Sequence, residues 1–186
     1  MTGATRGQRY DVRSYYALAT AGVLAPEDRV ELIEGEVVPM APIRPAHSGC
    51  VMSLDRALHI RLGSRSLVWT QNPLRLDDWS EPVPDIVLLP LDLETFRHRH
   101  PSPGDALLVI EVADTTVRHD RGRKLPLYAR FGVAEVWIVV LRRSIVEVYR
   151  EPGAGGYGSK TILGRGASLS PLAFPDVTFT VDEILG

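Results

Sequence analysis

The sequence predicts an α/β (α+β) fold, a mixed β-sheet flanked by helices with additional β-hairpins. Three observations predict it. Near-continuous apolar runs at Val83–Leu89, Ala106–Ala113 and Val133–Leu141 have the pattern of strands buried on both faces. Between His47 and Leu62, apolar residues recur at helical spacing. Helical and strand-like segments alternate along the whole chain, which suits one layered α/β system. The chain has 186 residues and a mass of 20.5 kDa. That length predicts a single domain spanning residues 1–186.

In chain order, Asp11–Ala21 reads as a helix. Asp11 caps it, Val12, Tyr15, Tyr16 and Ala19 share one face, and Gly22 ends it. Val30–Met40 reads as two short strands around a turn at Glu34-Gly35. In the helix His47–Leu62, Val51, Leu54, Leu58 and Leu62 form the apolar stripe and Gly63 follows. Leu67–Thr70 and Pro73–Leu76 are strand-like. Val83–Leu89 is a buried strand carrying Pro84-Asp85, and Asp92–Asp105, with two prolines and a glycine, reads as a loop. Ala106–Ala113 is the most apolar strand. Within Thr115–Phe131, Pro126 suits only a first helical turn, so the regular helix is placed over about Arg123–Arg130, closed by Gly132. Val133–Leu141 and Ser144–Arg150 read as a hairpin, Glu151–Gly158 as a glycine-rich turn, Ser159–Leu163 and Val177–Thr180 as edge strands, and Val181–Leu185 as a last helical turn.

Composition excludes several classes. Hydrophobic residues make up 45% of the chain and charged residues 24%. That balance is not one of a disordered chain. The single cysteine excludes an intramolecular disulfide and a multi-cysteine metal centre. No run approaches the ~18 apolar residues of a membrane span. Met1–Arg6 has no apolar segment behind it, so the expected location is the cytoplasm. The net charge of −2 does not mark a nucleic-acid binder by itself. The basic residues, however, are 19 arginines and only two lysines, Lys124 and Lys160. Lysine is a compact point charge, arginine a planar fork, so a rare lysine draws notice.

The sharpest anomaly is Glu111, between Ile110 and Val112 in a strand apolar on both sides. Burying an ionised carboxylate there costs several kcal/mol unless a cation, a metal or hydrogen bonds compensate. Asp85 repeats the pattern between Pro84 and Ile86. Two acids on neighbouring strands repel, and a divalent cation removes the repulsion; an arginine partner for each is the alternative. Glu34 and Glu36 flank a hairpin tip, where charge normally serves solvation; the functional alternative has Glu34 pointing inward as a third acid. Lys124 opens the helix after the Glu111 strand, and a helix folding back over the sheet can bring its ammonium to the end of that strand.

The strings ELIEGE (Glu31–Glu36), PDIVLL (Pro84–Leu89), LLVIEVA (Leu107–Ala113) and DRGRKLPLYARFGVAEVWIV (Asp120–Val139), with His47 between the first two, together resemble the Uma2 family of endonuclease-like proteins. That family is similar to the PD-(D/E)XK nuclease superfamily, and the resemblance covers roughly residues 10–185. It implies a restriction-endonuclease-like core with a Mg²⁺ (or Mn²⁺) site on the sheet. Asp85 matches the motif aspartate and Glu111 its (D/E), with the Val112 carbonyl as a further ligand. The position two after Glu111 is Ala113 rather than lysine, and Lys124 on the following helix matches the displaced lysine. Glu34 matches an acid of the ELIEGE string. His47, Asp120 and Tyr128 match family positions that would support the site. Leu141 departs from relatives, which commonly carry aspartate there.

Other signals carry less. Gly153–Thr161 has Ser159 between its glycine and Lys160, which breaks the P-loop pattern. Cys50 reads as packing rather than a nucleophile. Arg97-His98-Arg99-His100 reads as a solvated loop. Arg118, Arg121, Arg123 and Arg130 concentrate beside Lys124 and form the expected nucleic-acid contact surface, with a solvated, salt-bridged helix face as the alternative. The expected function is a Mg²⁺-dependent endonuclease acting on DNA, with Asp85, Glu111, Lys124 and Glu34 as catalytic residues. A nuclease-like binding or scaffolding module without turnover is the alternative, and a small-nucleotide phosphodiesterase a third reading. By analogy of fold, a homodimer is expected.

Overall fold

In the computed structural model, residues 8–25, 27–114 and 116–186 are described; the segment Met1–Arg6 and Thr115, both read above, lie outside them. Strand alternation determines how the layers stack. In β5 (Leu108–Ala113), Leu108, Ile110 and Val112 face one core, while Val109 and Ala113 face another with Glu111 between them. The central sheet comprises β3 (Leu67–Thr70), β4 (Ile86–Leu89), β5, β6 (Glu135–Val140), β7 (Ile145–Gly153) and β8 (Gly156–Gly164), in that spatial order. Only β5 and β6 run parallel; the helical crossover Val117–Arg130 joins them, and every other neighbouring pair is antiparallel.

One face is covered by α2 (Pro45–Leu62), whose Cys50, Val51, Leu54, Leu58 and Leu62 pack on Ile86, Ile110, Val112, Trp137 and Val139. The C-terminal α6 (Val181–Leu185) completes that layer through Val181 and Ile184. The other face is covered by α5 (Leu125–Arg130), through Leu127 and Tyr128, and by Ile33 of the hairpin β1 (Val30–Ile33) and β2 (Glu36–Pro39). α1 (Val12–Thr20), capped by Asp11 as its sequence predicts, places Val12 against Leu32 of β1. The turn of that hairpin requires Gly35. Its φ is +83°, and a Cβ there would lie 3.0 Å from Arg9 Nε and 3.4 Å from the Trp79 ring. Glycine alone adopts that backbone conformation without steric cost.

Four expectations are corrected. Pro73–Leu76 is not a strand. Leu74 and Leu76 donate backbone hydrogen bonds to Pro82 and Ser80 across a tight loop, and Pro82 and Pro84, lacking N–H groups, cannot sustain a ladder. Asp92–Asp105 contains α3 (Leu93–His98), with Asp92 Oδ1 accepting the Thr95 N–H at 3.1 Å. The capping aspartate was a readable signal. The glycine-rich stretch is largely ladder, with the β7–β8 turn confined to Ala154-Gly155. Val177–Thr180 shortens to β10 (Phe179–Thr180), which pairs with β9 (Ser168–Leu169) outside the main sheet.

The segment expected to become helical at Arg123 starts earlier and irregularly. A single turn, α4 (Val117–His119), leads into a π-turn over Asp120–Lys124, closed by Leu125 N–H on the Asp120 carbonyl, and only then into α5. Pro126 supplies the reason. It has no N–H for the Gly122 carbonyl, and its ring crowds that position, so the turn before it widens. The same turn carries Asp120 and Lys124, both buried.

Candidate active site

The loop entering β4 and the middle of β5 bring two acids together. Asp85 precedes Ile86, which pairs with Ile110, so Asp85 lies across from Glu111. Asp85 Oδ2 accepts the Val112 N–H at 2.8 Å. His47, from the first turn of α2, approaches the same carboxylate, with Nε2 3.1 Å from each oxygen, and Gln71 donates to Oδ1 at 3.3 Å. The Asp85 carboxylate raises the His47 pKa above that of a free imidazole, because the hydrogen bond favours the charged ring. His47 Nδ1 is buried without a partner among the described residues.

Glu111 is 4% exposed. The Tyr128 hydroxyl, from α5, donates to its Oε1 at 2.7 Å, and Lys124 Nζ lies 3.3 Å from the same atom. Burial pushes the Glu111 carboxyl up to about 8; Lys124 draws it down, while Asp120 and Asp85 add to the rise. Lys124 stays an ammonium: burial disfavours its charge, but the carboxylates of Glu111, Glu31 and Asp120 outweigh that and raise its pKa. Burial also raises Asp120.

Glu31 is the residue that sequence reasoning missed. It is 2% exposed on β1, its Oε2 lies 3.0 Å from Lys124 Nζ and accepts the Val83 N–H at 3.1 Å, and its Oε1 lies 3.2 Å from His119 Nε2. Burial disfavours its charge, yet Lys124 and His119 hold its pKa below the usual carboxylate range. The signal was present: Val30-Glu31-Leu32-Ile33 is an acid within an apolar strand, the same anomaly that singles out Glu111. Glu34, expected to point inward, does not join the cluster. It sits at the hairpin turn with φ +50°, half exposed, and pairs with Arg130 at 3.1 Å.

These groups face one cavity of about 450 Å³. Its floor carries Glu31, Asp85, Glu111, Asp120 and Lys124, and Asp114 stands near its edge. Its outer wall is the segment from Pro39 to Arg44, between β2 and α2, with Arg29 beside it. Five carboxyl groups and three fixed cations, Lys124, Arg29 and Arg44, line the cavity, and Asp114 is paired with Arg142 at 2.9 Å. Among the described residues no cluster of three or more His, Cys, Asp or Glu side chains is arranged to hold a metal. Two carboxylates plus a carbonyl suit Mg²⁺, which keeps waters and takes phosphate oxygens, and do not suit Zn²⁺. The Val112 carbonyl leaves the strand on the same edge as its N–H, toward Asp85. Among the described residues no arginine pairs with Asp85 or Glu111; their partners are His47, Gln71, Val112, Lys124 and Tyr128.

The arginines expected to contact nucleic acid are mostly engaged elsewhere. Arg121 grips the buried Glu147 of β7 with two bonds of 2.8 and 2.7 Å, which ties the π-turn to the sheet. Arg123 pairs with Glu36 at 2.8 Å and Arg130 with Glu34. Arg118 is exposed, with no ion pair among the described residues. Cys50 is buried, donates to the Ile184 carbonyl, and burial pushes its thiol up to about 12, in keeping with packing. No helix among the described residues is long and apolar enough to cross a membrane.

No curated protein matches this sequence. Among solved structures, a putative nuclease belonging to DUF820 from Anabaena variabilis ATCC 29413 superposes with a TM-score of 0.69 at 13% identity, over 89% of this chain and 94% of that one. At that identity the likeness shows the fold alone, a mixed sheet flanked by helices. The family match reaches further. From the first residue of α1 to the second of α6, residues 12–182 match Uma2, described as "Putative restriction endonuclease", and the chain belongs to that family.

Proposed function

We propose that this chain is a divalent-cation-dependent endonuclease that hydrolyses DNA phosphodiester bonds in the cavity described above. One observation carries the reading: Asp85 and Glu111, on neighbouring antiparallel segments, share a concave site with a buried lysine and pair with no arginine among the described residues. Asp85, Glu111 and the Val112 carbonyl would hold Mg²⁺ or Mn²⁺. Such an ion, when bound, lowers the pKa of an attacking water and offsets charge on the phosphoryl oxygens.

The chain's own groups do the rest. His47 and the Val112 N–H hold the Asp85 carboxylate in one orientation. The Tyr128 hydroxyl fixes Glu111 Oε1, so its second oxygen is left to the cavity. Lys124 keeps a permanent positive charge at the floor, placed to stabilise negative charge that grows on a phosphoryl group. Glu31 and the Val83 carbonyl orient that ammonium. Glu34, paired with Arg130 at the hairpin tip, has no part in this reading.

The paired state of Arg121, Arg123 and Arg130 favours a second reading, a nuclease-like module that binds without turnover. One assay separates the two. Purified protein is incubated with supercoiled plasmid and Mg²⁺ or Mn²⁺, and nicked and linear products are resolved on a gel. Nicking that EDTA, Asp85→Ala and Lys124→Ala each abolish supports the enzyme. Nicking that survives Asp85→Ala overturns it, and plasmid bound but never cut favours the module.

A further inference from the structure

The cavity has an outer wall whose charge and polarity differ from those of its floor. Arg29, just before β1, and Arg44, just before α2, both line it, are exposed, and have no carboxylate partner among the described residues. The contrast with their neighbours is chemical. Arg121, Arg123, Arg130 and Arg142 each face a carboxylate at 3.1 Å or less, so their charge is locally neutralised. Arg29 holds only a backbone carbonyl, that of Ala41, at 3.3 Å. Unpaired guanidiniums present planar, bidentate donors suited to phosphate oxygens. Between them the wall is apolar: Met40, Ala41, Pro42 and Ile43, with Ile43 42% exposed.

We propose that Arg29 and Arg44 form the phosphate clamp of this site and hold the backbone of a DNA strand. On this arrangement the backbone phosphate lies between the two guanidiniums and the acidic floor. Glu111 and Lys124, at 4% exposure each, line the same cavity of about 450 Å³. The clamp rests on the nuclease reading for what happens to the strand, but not for its binding.

The test is fluorescence anisotropy of a labelled twelve-nucleotide single-stranded DNA with full-length protein in Ca²⁺ buffer. Arg29→Ala/Arg44→Ala should weaken single-strand binding about tenfold or more and reduce the salt slope by about 1.4, since each phosphate contact on a single strand contributes roughly 0.7. Arg13→Ala/Arg56→Ala removes the same charge from exposed positions outside the cavity and should leave affinity within about twofold. Arg29→Lys/Arg44→Lys should recover part of the loss. Equal weakening by both double variants, unchanged binding by Arg29→Ala/Arg44→Ala, or absence of binding by the wild type each overturns the proposal. A wild type that binds through Arg29 and Arg44 but never cleaves plasmid keeps the clamp and sinks the nuclease reading instead.

Discussion

Glu111→Gln in the cation-free protein separates the charge of the buried carboxyl from its shape. In the folded chain, burial lifts this group from the ordinary 4.5 to about 8. A folded-state value above the unfolded one means stability is fully present below pH 4.5 and is lost as pH rises through 8. Each pH unit in that window is worth about 1.4 kcal/mol, so the wild type loses on the order of 4–5 kcal/mol at most from this one group. Glutamine is the neutral isostere. It keeps an oxygen for the Tyr128 hydroxyl and never ionises, so its stability carries no such slope. His47, whose raised pKa also costs stability as pH rises, is common to both proteins and cancels in the difference. The assay is urea unfolding followed by tryptophan fluorescence in EDTA from about pH 4.5 to 9. The Gln variant should match the wild type at the acid end, gain on it progressively, and level off above 8. A difference constant across pH refutes the assignment of a neutral, burial-raised carboxyl. Adding Mg²⁺ at pH 8 should then stabilise the wild type and not the variant, since a ligand that binds only the folded state raises its stability.

Two further perturbations test the supporting structure. Glu31→Gln removes one of the carboxylates that hold Lys124, an ammonium that is itself buried. Breaking one partner of a buried charge pair should lower the unfolding free energy by about 2 kcal/mol or more, read by urea titration. Gly35→Ala should cost about 1–2 kcal/mol, because alanine is strained at positive φ. The added Cβ is also driven to 3.0 Å of Arg9 Nε. Thermal unfolding unchanged from wild type would count against that turn geometry.

Much of the fold is legible without coordinates. Apolar runs at Val83–Leu89, Ala106–Ala113 and Val133–Leu141 identify central strands because only a strand covered on both faces tolerates such a sequence. The stripe from Val51 to Leu62 identifies α2 for the same reason at helical period. What escapes are features governed by local hydrogen-bond detail. The Pro73–Leu76 segment has strand-like apolar residues, yet the prolines at 82 and 84 deny it a partner ladder. The π-turn at Asp120–Lys124 follows from Pro126 but lies upstream of it, where a reading based on propensity starts the helix too late.

For the candidate site, residue type and position drew notice to Asp85, Glu111 and Lys124, because a carboxyl in an oily strand and a rare lysine are anomalies in one dimension, and the family resemblance gave them their expected roles. Choosing among the three acids of ELIEGE required the third dimension. Glu31 and Glu34 are three residues apart, and only the turn at Glu34-Gly35, with its positive φ values, sends the first into the protein and the second to solvent. The same holds for the arginines. Their clustering near Lys124 is visible in the chain, but whether each is free or neutralised depends on Glu34, Glu36 and Glu147, distant in sequence and adjacent in space. The sequence by itself determined the central strands of the sheet, its covering helices and the buried Glu111, because burial is written in apolar patterning. Tertiary structure decided which charges meet, because a Coulomb or hydrogen-bond partner within a few ångströms is a property of the folded chain and not of its order.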